Sequence, residues 1–386
     1  MTISVLRAAA LPAVLLLALP MVACQPASES STSGNGANAP AANAPAANTA
    51  ESGAADAGSA NGTVSDSTPS DSTLTRSAER SLIVYSGRSQ SLIGDLIDGF
   101  EEETGIDTAV RWGSTSEMAA TLLEEGDATS ADVFLAQDPG GLGAVAGQLA
   151  PLPQALLDRV DPRFRDAGGR WVGVTGRART LVYNTERVDE AEVPADLWAL
   201  TEPAWKGRVG WAPTNASFHA MVTAMRDAWG EDETRRWLEA MMENDAQVYD
   251  KNSPIVAAVG SGEVDAGLVN HYYLYRFLAE EGDDFPARNA FIDPNGPGSL
   301  VMVAGGGVLE GAAHSTEAEE FLAYMLSDAV QERFTIDTRE YPLVPDVASP
   351  PGLPPLSDVA APNVDLGVLA DLEGTIALLR EVGALP

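Results

Sequence analysis

Two adjacent tyrosines, Tyr272 and Tyr273, stand where the sequence changes character. Before them, Val264-Asp265-Ala266-Gly267-Leu268-Val269 reads as a short strand; after them, Phe277-Leu278-Ala279-Glu280-Glu281 reads as a helix. A phenol has a pKa of about 10, so phenolate is a scarce, hard, anionic oxygen donor at neutral pH. A strongly charged hard cation can displace the proton, and Fe3+ is the obvious one. Neighbouring residues in a regular strand face opposite sides. Both phenols reach one ion only if the backbone leaves the strand there, for instance into a helix with about 100° between neighbours. Aromatic packing is the commoner fate of such a pair, and spacing alone leaves both readings open.

Other chemistry is sparse. His219, His271 and His314 are the only histidines, and Cys24 is the only cysteine, which excludes a disulfide framework or a cysteine metal site. No HExxH or GxSxG motif is present, and Gly305-Gly306-Gly307 lacks the strand–GxxxxGK[ST]–helix context of a phosphate loop. An enzyme is therefore not expected. The net charge of -33 argues against nucleic acid, whose phosphates need Lys and Arg. Two further local features stand out. Arg177, Arg179 and Tyr183 alternate along one run and would share a strand face. Thr214 or Asn215 can cap a helix from about Phe218 to Trp229, leaving free N–H groups at its start.

The elements that must hold these groups read as alternating strands and helices. Leu82–Tyr85, Thr108–Trp112 and Ala131–Leu135 are strands, separated by helical segments; Leu92, Ile93, Leu96, Ile97 and Phe100 fall on one helix face. That alternation predicts a parallel sheet flanked by helices, with ligands at the carboxyl ends of the strands. Trp171 to Val174 reads as a crossover strand. Ala290–Ile292 and Gly298–Ala304 read as strands, Thr316 to Phe334 as one long helix, and Asp365 to Val382 as a terminal helix.

The amino terminus is of another kind. Arg7 precedes an apolar run, Ala8 to Ala23, that is short for a membrane span and ordered like a secretory signal. Met21-Val22-Ala23-Cys24 resembles a bacterial lipobox, which implies cleavage before Cys24 and lipidation of its sulfur. Residues 24–80, rich in Ala, Ser, Asn and Pro, read as a disordered tether with a reach of roughly 40 Å.

From Leu82 to Leu385 the chain resembles the periplasmic ferric-iron-binding proteins of ABC importers. The segments "IVYSGRSQSLIGDLIDGFEEETGI", "RARTLVYNTERV", "KNSPIVAAVGSGEVDAGLVNHYYLYR" and "REYPLVPDV" carry the likeness. The resemblance implies an α/β, two-lobed periplasmic-binding-protein fold with ligand between the lobes. It implies a first lobe of residues 81–175 and 300–345, a second of 176–299, and a helical segment, 346–386, packing on both. Tyr272, Tyr273 and Tyr183 match iron ligands. Arg88, the helix start Thr214, Asn215, Ala216 and Ser217, and Asn252 and Asn270 match the seat of a synergistic anion such as carbonate. Arg179, Gln137, His271, Ser89 and Gln90 stand nearby; Ser89 and Gln90 replace a first-lobe histidine and tyrosine of some members, and Gln137 replaces a glutamate ligand. The implied protein is a monomer that passes Fe3+ to a membrane permease and is held to the membrane through lipid on Cys24. The alternatives are the same fold with a small organic anion, or an enzyme using the same cleft.

Overall fold

The computed structural model describes residues 80–386. The leader, Cys24 and the tether as far as residue 79 lie outside these residues. β1 (Ser81–Ser86), α1 (Gln90–Thr104), β2 (Asp107–Trp112), α2 (Thr115–Glu125), β3 (Val133–Ala136), α3 (Pro139–Val145) and α4 (Gln154–Leu157) lead into β4 (Val172–Asn184). Then come β5 (Val209–Trp211), α5 (Ala216–Trp229), α6 (Glu231–Glu243), β6 (Gln247–Val248), α7 (Asn252–Ser261), β7 (Ala266–Asn270), α8 (Tyr273–Glu281) and β8 (Ala287–Ala290). The chain ends with β9 (Val301–Val308), α9 (Ser315–Met325), α10 (Asp328–Asp337), β10 (Tyr341–Pro342) and α11 (Leu372–Glu381).

β4 organises the molecule. All 13 of its residues are buried, and it serves two half-sheets. Its first half pairs antiparallel with β9 and β10, and β9 continues through β3 to the parallel strands β1 and β2. Its second half pairs antiparallel with β7 and β8, and β7 runs parallel to β5. A strand buried on both faces needs apolar residues throughout or polar ones with partners. β4 keeps Thr175, Arg177, Arg179 and Thr180 inside. One apolar core draws mainly on residues 82–178 and 300–369, and two smaller ones mainly on residues 181–292. The result is the two-lobed α/β fold that the sequence predicts.

Several elements differ from the sequence reading. Gly305-Gly306-Gly307 is strand, inside β9. A Cβ at Gly305 would lie 2.5 Å from the Val172 carbonyl oxygen, and one at Gly307 would lie 2.8 Å from that of Arg170. The glycines therefore let the backbones of β9 and the β4 region meet closely. The predicted helix over 316–334 is two helices, because Ser327 accepts a bond from the Val330 amide and starts α10. The terminal helix is a 3-10 turn, Leu366–Ala370, followed by α11, which Asp371 caps. Pro139-Gly140-Gly141-Leu142-Gly143 has poor helix propensity, yet it forms α3 under the cap of Asp138.

Candidate metal centre

The β7 backbone stops at Asn270, and α8 begins three residues later. Tyr272 already has helical angles (φ -73°, ψ -18°), so the alternation of the strand ends there. The two phenol rings stack, with centroids 4.5 Å apart and planes 28° from parallel. Both therefore project to one side, which is the condition for meeting a single ion. Burial pushes the Tyr272 phenol above its ordinary pKa, and the Arg177 charge works against that rise.

Beside them β4 brings Arg179 into register with Asn270. The Arg179 guanidinium is buried, and Nη1 donates to Asn270 Oδ1 and to Ser217 Oγ, both at 3.1 Å. Nε and Nη2 are buried with no hydrogen-bond partner. Desolvation pulls the Arg179 pKa down to about 10, against the opposing pull of the two tyrosines, so it stays cationic at neutral pH. Unpaired buried donors are costly and mark places where a ligand can complete the bonding.

Two helix starts converge on this arginine. Asn215 caps α5 by accepting from the Ser217 amide at 3.0 Å and from Ser217 Oγ at 2.6 Å. Asn252, the first residue of α7, donates from Nδ2 to Asn215 Oδ1 and Ser217 Oγ, each at 3.3 Å. The amide dipoles of both helices favour negative charge there. The cluster of Arg179, Ser217, Asn215, Asn252 and Asn270 can thus receive a small oxyanion. Thr214 and Ala216 are exposed, and Thr214 Oγ1 donates to the Asp250 carbonyl at 3.4 Å.

Arg177 is the residue that sequence reasoning left out of the site. It shares a β4 face with Arg179, Nη2 donates to the Gln137 carbonyl oxygen, and Nε is buried without a partner. It links the first lobe's β3–α3 loop to the surroundings of Tyr272. The signal was present in the alternation of Arg177 and Arg179, but nothing in the sequence shows what lies opposite. Gln137 is held by its amide, which donates to Thr115 Oγ1 at 2.9 Å, and its Oε1 is buried and unpartnered.

The structure moves two expected residues away from this group. Tyr183 lies four residues beyond Arg179 on β4, about 13 Å at strand rise, opposite Ala266 rather than Asn270. It packs with Leu181 and Val188, so it is a core tyrosine and not a third ligand to an ion at Tyr272 and Tyr273. Arg88 is already neutralised. It is fully buried, Nη2 meets Glu340 Oε2 at 2.9 Å, and Nη1 donates to Thr175 Oγ1 at 3.2 Å. Its Nε is buried without a partner, but its charge is matched by Glu340. Ser89 and Gln90 are exposed, and Ser89 Oγ bonds to Ser91 Oγ at 3.0 Å.

His271 is fully buried and braces the site. Its Nδ1 accepts from the Ala178 amide at 3.1 Å, and its Nε2 donates to the Arg339 carbonyl at 2.8 Å. Burial lowers its pKa to about 4, so it is neutral at pH 7. His219 bonds to the Pro213 carbonyl and His314 to Asp132, both as structural contacts. No group of three or more His, Cys, Asp or Glu that could hold a metal occurs among the described residues.

The profile of the bacterial extracellular solute-binding protein family matches residues 129–365. The chain is 35% identical over 313 residues to the Fe(3+)-binding periplasmic protein of Serratia marcescens, covering 80% of this chain and 92% of that protein. Its fold is similar to that of iron-bound HitA from Pseudomonas aeruginosa, with TM-score 0.71 and 32% identity over 79% of this chain and 99% of the other. It is also similar to Trichodesmium IdiA (FutA) in complex with iron and citrate, with TM-score 0.72 and 26% identity over 78% of this chain and 99% of the other. The chain therefore belongs to the bacterial extracellular solute-binding protein family, in the group that includes the Fe(3+)-binding periplasmic protein.

Proposed function

We propose that this protein captures ferric iron outside the cytoplasm and hands it to the permease of an ABC importer. Tyr272 and Tyr273 supply two phenolates, and a small oxyanion such as carbonate sits on Arg179 and the starts of α5 and α7. The stacked tyrosine pair beside a buried arginine with two free N–H groups carries this reading most strongly. The relatives named for ferric iron support the choice of metal.

Charge balance agrees with it. Fe3+, two phenolates, a doubly charged oxyanion and the Arg179 guanidinium sum to zero, so the ion and its immediate partners add little net charge to the cleft. Without Tyr183 the anion becomes a necessary part of the site. Arg177 offsets the cost of ionising Tyr272, and His271 fixes the end of β7 from which both phenols depart. Fe3+ displaces at least the Tyr272 proton on binding, because that phenol is protonated at neutral pH. Closure of the lobes around the ion would give the permease a form to recognise, and reopening with reprotonation or reduction would release it. Lipid on Cys24 and the tether would keep the domain near that permease.

Equilibrium competition against citrate tests the assignment. Tyr272→Phe/Tyr273→Phe should lose more than about a hundredfold in ferric affinity, since even outer partners of metal ligands are worth 10–100-fold. Retained affinity would transfer the cleft to another solute, such as a small organic anion.

A further inference from the structure

The face of α8 that carries Tyr275 and Leu278 is not the face that carries Tyr273. Tyr275 is two residues from Tyr273, about 200° around the helix. It opens on a second cavity of about 580 Å³, whose walls include Tyr275, Leu278, Asn289, Phe291, Arg339 and Leu353. That is the size of a small-molecule site. Tyr275 closes one end by donating to the Gly352 carbonyl at 3.0 Å.

One charged group in this groove has no partner. Arg288, which also lines it, spends its guanidinium on the carbonyls of Phe285, Ala287 and Asp283. Arg339 does not: among the described residues its half-buried guanidinium makes no hydrogen bond or ion pair. Its backbone is left-handed (φ 60°), a conformation a non-glycine residue keeps only when its surroundings enforce it. Here the His271 bond to the Arg339 carbonyl does so. Asn289 uses Nδ2 to donate to the His271 carbonyl at 2.8 Å, and its Oδ1 is buried out of reach of the groove. A free cation and walls of Leu278, Phe291 and Leu353 define one kind of ligand.

We propose that this groove is a second binding site, for a small organic acid with a carboxylate and an apolar or aromatic body. The carboxylate pairs with Arg339, and the body lies on Leu278 and Phe291. The site uses neither tyrosine of the metal centre.

Calorimetric titration with phenylacetate, which has both groups, tests it on the mature protein. One site per chain is expected. Arg339→Gln should weaken binding at least about tenfold. Ala279→Trp, a change at an exposed position on the rim, should fill the groove and abolish binding. Tyr272→Phe/Tyr273→Phe should bind as the parent does. No heat up to about 10 mM ligand, undiminished binding by either groove variant, or loss in the tyrosine variant would each overturn the proposal.

Discussion

Arg179 and Arg88 are both buried arginines, and their partners separate their roles. Arg179 retains two unpaired donors next to the tyrosines, whereas Arg88 is matched to Glu340. Arg179→Gln is therefore expected to lower ferric affinity roughly 10–100-fold in carbonate buffer, with thermal stability little changed. Arg88→Gln is expected to do the reverse. It strands the Glu340 carboxylate, so urea unfolding of the iron-free protein should show a loss of about 3–5 kcal/mol. The tyrosine pair was legible because a dipeptide at a strand end needs no distant information. The fate of Arg88 was not, because Glu340 is 252 residues away in sequence. For Tyr183 the alternation of the strand gave the right face but not the position along it: the polar cluster lies at the middle of β4, and Tyr183 near its end.

Among the elements, β1 to β3 and the first helices followed from apolar periodicity, whereas the strand expected at Ala290–Ile292 lies earlier, as β8. The misread ones failed for local reasons. Ser327 interrupts an otherwise continuous amphipathic stretch, and the glycines of α3 and β9 conceal regular structure that only packing stabilises. The junction of β4, β7 and the Arg339 segment depends on neutral His271. Its folded pKa, about 4, lies below the unfolded value of 6.5, so the unfolded chain binds the extra proton first. This contribution is complete above pH 6.5 and is lost as pH falls towards 4, a total of about 3 kcal/mol. Chemical unfolding of the iron-free protein across that window should show this slope, and His271→Gln should flatten it.

At the scale of the molecule, the lobes share β4, and the anion cluster and tyrosines meet at the point where that strand passes from one half-sheet to the other. Metal capture is then a proton-coupled event. Because burial raises the Tyr272 phenol, apparent ferric affinity should rise with pH by at least about tenfold per unit near neutrality, measured by competition with a chelator whose own titration is known. Strand and helix order made the α/β layering readable and the family resemblance supplied the two lobes, but the partnership of Arg177 with the Gln137 loop required the lobes in place. The most direct measurement is the visible spectrum of the purified protein after uptake from ferric citrate. Two phenolates on Fe3+ predict a phenolate-to-iron charge-transfer band that disappears in Tyr272→Phe/Tyr273→Phe and persists in Tyr183→Phe. A colourless parent protein, or a band that survives loss of the pair, would contradict the account.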